Sequence, residues 1–270
     1  MPLNPKEEDS SIEAEQDDVA QVEEQLKQKS RLGRGIYLLP NLFTTASLFS
    51  GFYAIVAAMN GDFDNAAIAI FVSLILDGLD GRVARMTNTQ SAFGAEYDSL
   101  ADMVAFGVAP ALVAFSLNLQ SLGNLGWTAT FIYVAGAALR LARFNTQIGS
   151  VDKRFFVGLP SPAAAAVVAG FVWALHSFEQ TRALTLLTML VVAGSGVLMV
   201  SNVLYYSFKE VDMKRRVPFA ALLLMVLLFA VIALEPSVVL LGGFLIYALS
   251  GPVLVLTRKT KFGKKTEEGN

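Results

Sequence analysis

The sequence has no cysteine and a single histidine, His176. These absences exclude disulfides, thiolate nucleophiles, cysteine-ligated zinc or iron–sulfur sites, and histidine-rich metal sites. Charge is also scarce, because 16% of the 270 residues are charged, whereas soluble domains have about 25%. The composition therefore excludes a soluble globular enzyme, and any chemistry must use carboxylates, basic side chains, hydroxyls and the backbone.

Apolar residues are abundant instead. They make up 54% of the chain, and the mean hydropathy is +0.53. Several apolar stretches reach the roughly 20 residues that a helix needs to cross a bilayer. We predict an all-α, polytopic transmembrane bundle with eight spans at about 40–60, 65–86, 98–118, 125–144, 157–176, 183–205, 217–234 and 237–257.

The charged residues predict how these spans are oriented. With a cytoplasmic N-terminus, 20 of the 21 lysines and arginines fall on the cytoplasmic side, and only Arg182 falls outside. The positive-inside rule therefore predicts an even number of spans and two cytoplasmic termini. Residues 1–35, with nine acidic and five basic side chains, are predicted to be an acidic leader. Residues 36–258 are the predicted membrane domain, and 259–270 a basic tail.

Four aspartates interrupt the apolar pattern at the cytoplasmic ends of the second and third predicted spans. Asp77 and Asp80 share one helical face, and Gly94, Asp98 and Asp102 form a stripe at i, i+4 and i+8. The loop between the two segments is short enough for a helical hairpin. We therefore expect the four carboxylates to converge between two helices, just below the membrane interface.

Something positive must compensate these carboxylates, since each costs roughly 2.5–3.5 kcal/mol if it lies at a helix centre. An ion-pair cluster with Arg82 and Arg85 is one possibility, but it does not explain why Gly81 and Ala84 lie on the same face. Small residues let a ligand approach the backbone, and oxygen-only ligand sets suit hard divalent cations. We favour one or two Mg²⁺ or Mn²⁺ ions beside a pocket of small residues.

The spacing of these residues resembles the signature of the CDP-alcohol phosphatidyltransferases at every specified position. That signature is Asp77, then Asp80-Gly81-x2-Ala84-Arg85-x8-Gly94-x3-Asp98-x3-Asp102. The resemblance covers the membrane domain and leaves the leader outside. It implies that Asp77, Asp80 and Asp98 hold two metal ions, with Asp102 close enough to contribute. We choose Asp102 as the general base that takes a proton from the acceptor hydroxyl.

The resemblance also implies a substrate and a cellular setting. The metals would bridge the diphosphate of a CDP-linked lipid, Arg85 would contact that diphosphate, and Gly81, Ala84 and Gly94 would leave room for the cytidine. We expect a multi-pass protein of the bacterial cytoplasmic membrane, with its active site facing the cytoplasm. Its partners would be membrane lipids and a second copy of the chain in a homodimer, with no nucleic acid.

Three further stretches are similar to the members of this family that use serine. They are residues 39–44 with Gly51 and Phe52, residues 140–145, and residues 158–162. They imply transfer of the phosphatidyl group from CDP-diacylglycerol to L-serine, with release of CMP. Because guanidinium groups bind carboxylates bidentately, Arg140 and Arg143, with Asn145 as a further donor, are the predicted serine site. Ordinary positive-inside anchoring would also explain both arginines.

Two other functions stay open at this point. Arginines at this position would also suit a polyol phosphate such as glycerol 3-phosphate, which would make the protein a different phosphatidyltransferase. Intramembrane acids also mark ion paths in metal- or proton-coupled transporters. Transporter sites usually lie near the midplane between repeated halves, whereas these acids cluster at one end and no internal repeat is visible. Metal-dependent CMP release would separate an enzyme from a transporter.

Overall fold

A computed structural model describes residues 39–146, 155–206 and 219–267. Most of these residues are helical, and two short strands form a small antiparallel sheet. The predicted acidic leader, residues 1–35, lies outside the described residues. The basic residues of the predicted tail are described only as backbone, as part of a helix that continues to Glu267.

The elements follow one another along the chain with short connections. They are α1 (Leu39–Met59), α2 (Phe63–Met86), α3 (Ala92–Asp102), a π-helical segment (Met103–Val108), α4 (Ala109–Leu117), a 3-10 turn (Leu119–Leu122), α5 (Asn124–Thr146), β1 (Phe155–Val157), α6 (Ser161–Leu175), α7 (Arg182–Val200), β2 (Leu204–Tyr206), α8 (Phe219–Leu234) and α9 (Pro236–Glu267). Helix α3, the π-segment and α4 run on as one helical stretch, Ala92–Leu117.

A helical stretch lies at each of the eight positions where the hydropathy pattern predicts a span. Five of them are both long and apolar enough to cross a bilayer: Leu39–Met59, Ala92–Leu117, Asn124–Thr146, Arg182–Val200 and Pro236–Val255. Ser161–Leu175 and Leu222–Leu234 are shorter apolar helices. The chain is therefore an α-helical, multi-pass membrane protein, and the count of eight crossings stays a prediction.

Two predicted boundaries are wrong: the start of the fifth span and the end of the sixth. The prediction extended helix to residue 157 at one end and to 205 at the other, but both ends belong to the sheet, in which Val157 pairs with Leu204 and Phe156 with Tyr205. Hydropathy cannot distinguish an apolar strand from the end of an apolar helix. Pro160 occupies the N-cap position of α6, and a proline before the first turn agrees with a helix that begins there.

Helix α6 is the centre of the bundle. It packs against α2, α4, α7 and α9, and its residues from Ala163 to Phe171 are all buried. A helix that is apolar on every face belongs in an interior. Beside it, α5 and α7 cross closely, because a Cβ on Gly136 would lie 2.5 Å from the Gly196 carbonyl oxygen.

The α2–α3 hairpin predicted from the aspartate pattern is present. Its loop, residues 87–91, includes Asn88 in the left-handed region with φ 54°, which asparagine tolerates better than most residues. Ser91 is the N-cap of α3, and its hydroxyl accepts a 3.0 Å hydrogen bond from the Gly94 amide. Helix α3 thus begins before the apolar stretch, so that Asp98 lies well inside it.

Candidate active site

Three carboxylates meet where α2 faces α3. Asp77 comes from α2, whereas Asp98 and Asp102 come from α3. One carboxylate oxygen from each lies within 4.8 Å of the other two, and all three residues are partly buried. The Asp77 and Asp102 side chains also lie close enough to interact electrostatically. Three carboxylates this close repel one another when ionised, so the arrangement favours a bound cation.

Asp80 lies beside this group rather than within it. Its side chain is only 4% exposed, and Oδ2 accepts a 2.8 Å hydrogen bond from the Thr44 hydroxyl on α1. Thr44 is equally buried, and its hydroxyl also lies 3.1 Å from the Pro40 carbonyl oxygen. Asp80, the remaining predicted metal ligand, is therefore hydrogen-bonded to α1 and lines the pocket.

The donor set fits a hard divalent cation. Asp98 Oδ1 is buried and has no hydrogen-bond partner among the described residues. A buried carboxylate oxygen without a partner is costly, and coordination to a cation would satisfy it. Oxygen ligands are those that Mg²⁺ and Mn²⁺ prefer. Asp77, Asp98 and Asp102 could therefore hold such an ion, with Asp80 adjacent.

A pocket of about 240 Å³ opens beside the carboxylates. Six residues of the sequence signature line it: Asp80, Gly81, Ala84, Arg85, Gly94 and Asp98. Residues of α1 and of the hairpin loop complete its wall, among them Asn41, Thr44 and Gln90. The four residues predicted to surround the CDP-lipid therefore lie together, next to two of the predicted metal ligands.

The glycines shape this pocket in different ways. A Cβ on Gly94 would lie 3.1 Å from Ser91 Oγ and 3.4 Å from Asn41 Oδ1, so a larger residue would crowd the wall. A Cβ on Gly81 would meet only Arg85, at 3.6 Å from Nη1. The Arg85 guanidinium thus lies over the small face of α2, where it can reach a phosphate in the pocket.

The three residues predicted to bind serine point to different neighbours. Arg140 Nη1 donates to Ser161 Oγ at 3.1 Å, Arg143 Nη1 lies 3.4 Å from Asn202 Oδ1, and Asn145 Nδ2 donates to Ser99 Oγ at 3.0 Å. The structure therefore gives each of them a different hydrogen-bond partner. It places Asn145 beside the residue that follows Asp98, and Arg143 at the end of α7.

Arg140 is a buried arginine that lies close to the carboxylate group. Its side chain is 8% exposed and interacts electrostatically with Asp102. Its Nε is buried and has no hydrogen-bond partner among the described residues. A buried guanidinium with an unused donor is suited to an anionic ligand, because the remaining N–H group can then be satisfied.

Two contacts of the site could not be predicted from the motif alone. Thr44, the partner of Asp80, and Ser161, the partner of Arg140, lie within stretches 39–44 and 158–162, which are similar to the serine-using members of the family. The resemblance of those stretches indicates which segments belong to the site, but not which residues form hydrogen bonds with each other. Both contacts join residues that are far apart in the sequence, and neither polar residue has a distinctive spacing.

Comparison with known proteins agrees with this geometry. Residues 37–193 match the model of the family described as CDP-alcohol phosphatidyltransferase. The chain is 43% identical over 217 residues to the CDP-diacylglycerol–serine O-phosphatidyltransferase of Helicobacter pylori, which covers 79% of this chain and 90% of that protein.

Proteins of the same name from other organisms are also similar. That of Mycobacterium bovis is 33% identical over 240 residues, with 86% of this chain and 83% of that protein covered. That of Methanocaldococcus jannaschii is 37% identical over 172 residues, with 64% of this chain and 75% of that protein covered.

Proposed function

We propose, for a chain that belongs to the CDP-alcohol phosphatidyltransferase family, that it transfers the phosphatidyl group of CDP-diacylglycerol to the hydroxyl of L-serine and releases CMP. The observation that carries this proposal is the group of Asp77, Asp98 and Asp102 beside a pocket lined by the rest of the signature. The names of the bacterial and archaeal relatives support serine as the acceptor.

The carboxylates are proposed to hold two divalent cations, Mg²⁺ or Mn²⁺. Asp77, Asp98 and Asp102 form the group with the closest oxygens, and Asp80 lies on the pocket side of it. Bound there, the ions would neutralise the diphosphate charge and that of departing CMP. The unpartnered Asp98 Oδ1 supports this assignment, because an ion would complete its coordination.

The reaction we propose is an attack by the serine hydroxyl oxygen on the phosphorus next to diacylglycerol. A new oxygen–phosphorus bond forms, the bond from that phosphorus to the bridging oxygen breaks, and CMP departs. Asp102 takes the hydroxyl proton. Arg85 binds the diphosphate, and the small residues Gly81, Ala84 and Gly94 admit the cytidine to the pocket.

Arg140 is the residue we assign to the serine carboxylate. It interacts with Asp102, the proposed base, and its Nε has a free donor in a buried position. A carboxylate bound there would bring the serine hydroxyl close to Asp102. Arg143 and Asn145 are assigned a secondary role in serine binding in this proposal, because their contacts with Asn202 and Ser99 are exposed.

The orientation that we propose for the membrane domain follows from charge. Eight spans with both termini in the cytoplasm place the signature on the cytoplasmic side, together with all the basic residues except Arg182. The acidic leader 1–35 and the basic tail 259–270 would then flank the domain 36–258 in the cytoplasm. The bacterial cytoplasmic membrane is the proposed location, and a homodimer is the proposed assembly.

Acceptor choice is the direct test of this function. The purified protein would receive CDP-diacylglycerol and Mn²⁺ with either radiolabelled serine or radiolabelled glycerol 3-phosphate. We expect label in the lipid fraction with serine alone. Label from glycerol 3-phosphate but not from serine would assign the enzyme to a polyol phosphate, whose phosphate Arg140 could also bind.

A further inference from the structure

A π-helical segment, Met103–Val108, follows Asp102 without interruption. Its hydrogen bonds include one from the Ala109 amide to the Val104 carbonyl oxygen, five residues back. A π-turn contains more residues than an α-turn, so it changes the rotation of the preceding helix relative to the following one. The faces that α3 and α4 present to the bundle are therefore set by this segment.

Pro110 explains why a π-helical segment forms at this place in the chain. In an α-helix the amide of residue 110 would donate to the carbonyl of residue 106, but proline has no amide hydrogen and its ring clashes with that carbonyl. The chain ends the π-segment just before Pro110, which lies in the first turn of α4. The Phe106 carbonyl thus loses the partner that a regular helix would provide.

Tyr133 of α5 hydrogen-bonds to that carbonyl. Its hydroxyl donates to the Phe106 oxygen at 3.0 Å, and the whole side chain is buried, with 0% exposed. The backbone of Tyr133 is itself held closely, since a Cβ on Gly196 of α7 would lie 2.7 Å from the Tyr133 Cα. The hydroxyl therefore reaches the π-segment from a rigid position.

We propose that Tyr133 is a positioning residue for the aspartates: by binding the Phe106 carbonyl, it fixes the π-segment and hence the rotation of α3 that brings Asp98 and Asp102 opposite Asp77. This inference rests on the proposed function only in taking those three aspartates as metal ligands. Tyr133 is not among the residues that line the pocket, and its hydroxyl binds a backbone carbonyl, so we assign it a role through the backbone. Groups that orient metal ligands typically contribute 10- to 100-fold to metal affinity.

The test measures Mn²⁺ binding directly, by the loss of the free-ion signal in electron paramagnetic resonance, on the full-length protein in detergent. Tyr133→Phe removes only the hydroxyl, and we expect it to weaken Mn²⁺ binding about tenfold. Tyr205→Phe is the matched control, because Tyr205 is also 0% exposed and also donates to a backbone carbonyl, that of Ala248, at 3.0 Å. It should bind Mn²⁺ as the unmodified protein does.

The outcomes separate the possible causes. Unchanged Mn²⁺ affinity in Tyr133→Phe would overturn the proposal, whatever the thermal stability of the variant. Equal losses of affinity in Tyr133→Phe and Tyr205→Phe would also overturn it, because the loss of any buried hydroxyl would then have the same effect. Failure of the unmodified protein to bind Mn²⁺ would overturn the metal site itself.

A second variant tests the link to proline. Pro110→Ala restores an amide at position 110 that can serve the Phe106 carbonyl. We expect Tyr133→Phe to weaken Mn²⁺ binding less in the Pro110→Ala background than in the unmodified protein, a non-additivity typical of residues that share one partner. Equal effects in both backgrounds would overturn the link between Tyr133 and Pro110.

Discussion

The Thr44 hydroxyl donates a 2.8 Å hydrogen bond to Asp80 Oδ2, and both side chains are almost fully buried. This bond joins α1 to α2 at the wall of the pocket. It orients the carboxylate of Asp80, which belongs to the sequence signature, and it gives one of the two carboxylate oxygens a hydrogen-bond partner.

Thr44→Val should therefore lower activity while keeping the shape of the side chain. Loss of the hydroxyl leaves a buried carboxylate oxygen without its donor, which costs about 1–3 kcal/mol, and we expect kcat/KM to fall about tenfold. Thr45→Val is the control, because Thr45 is the exposed neighbour and bonds Tyr97 instead. Steady-state rates of both variants check this prediction. An equal loss of activity in Thr45→Val would show that the effect is not specific to the bond between Thr44 and Asp80.

The carboxylate group should be essential for metal binding. Asp98→Asn keeps the size of the side chain but removes its charge, so we expect loss of Mn²⁺ binding and of CMP release together. Asp64→Asn is the control. It makes the same change in the first turn of α2, far along the helix from Asp77, where Asp64 Oδ2 lies 3.1 Å from His176 Nε2. It should leave both measurements unchanged. Turnover by Asp98→Asn at the normal rate would contradict the proposed metal site.

Asp102→Asn tests the proposed base. Removal of a general base typically costs 10²- to 10⁴-fold in rate, so we expect kcat to fall by at least about 100-fold. Binding is measured with the lipid in detergent and turnover by CMP release. If both survive the substitution, Asp102 is not the base.

The pocket wall should respond to a single methyl group. Gly94→Ala would place its Cβ 3.1 Å from Ser91 Oγ, a contact that the wall can relieve only by moving. We expect a higher KM for CDP-diacylglycerol with the KM for serine unchanged. Gly78→Ala adds the same methyl to α2 where nothing lies within 4 Å, and its kinetics should match those of the unmodified protein.

The acceptor site should depend on the shape of Arg140. Lysine keeps the charge but loses the planar fork, and a hydrogen bond to a charged group contributes about 1.5–3 kcal/mol. Arg140→Lys should thus raise the KM for serine at least about tenfold without changing that for the CDP-lipid. Arg182→Lys, at the exposed start of α7, is the control. A serine KM that Arg140→Lys does not alter would assign the carboxylate to another residue.

Much of the fold follows from hydropathy and spacing. Long apolar stretches predict helices at the positions where they lie, and the 3.6-residue period of Asp98 and Asp102 predicts their common face. The predicted span begins at residue 98, after the start of α3 at Ala92, because Glu96 and Asp98 make the first turns of the helix polar. There the Ser91 cap, rather than hydropathy, determines where the helix begins.

The remaining features depend on contacts between distant residues. The hydrogen bonds from Thr44 to Asp80 and from Tyr133 to Phe106 join different helices. No local sequence pattern therefore predicts them. The predicted serine residues illustrate the same limit. Arg140, Arg143 and Asn145 are close in sequence, yet the helical rotation turns them toward Ser161, Asn202 and Ser99 respectively.

The most direct test of the proposed function is the stoichiometry of the reaction in vesicles that contain CDP-diacylglycerol. With Mn²⁺ and serine present, we predict one CMP released for each phosphatidylserine formed, and neither product in Asp98→Asn. CMP release without serine-labelled lipid, or serine-labelled lipid formed by Asp98→Asn at the normal rate, would contradict it.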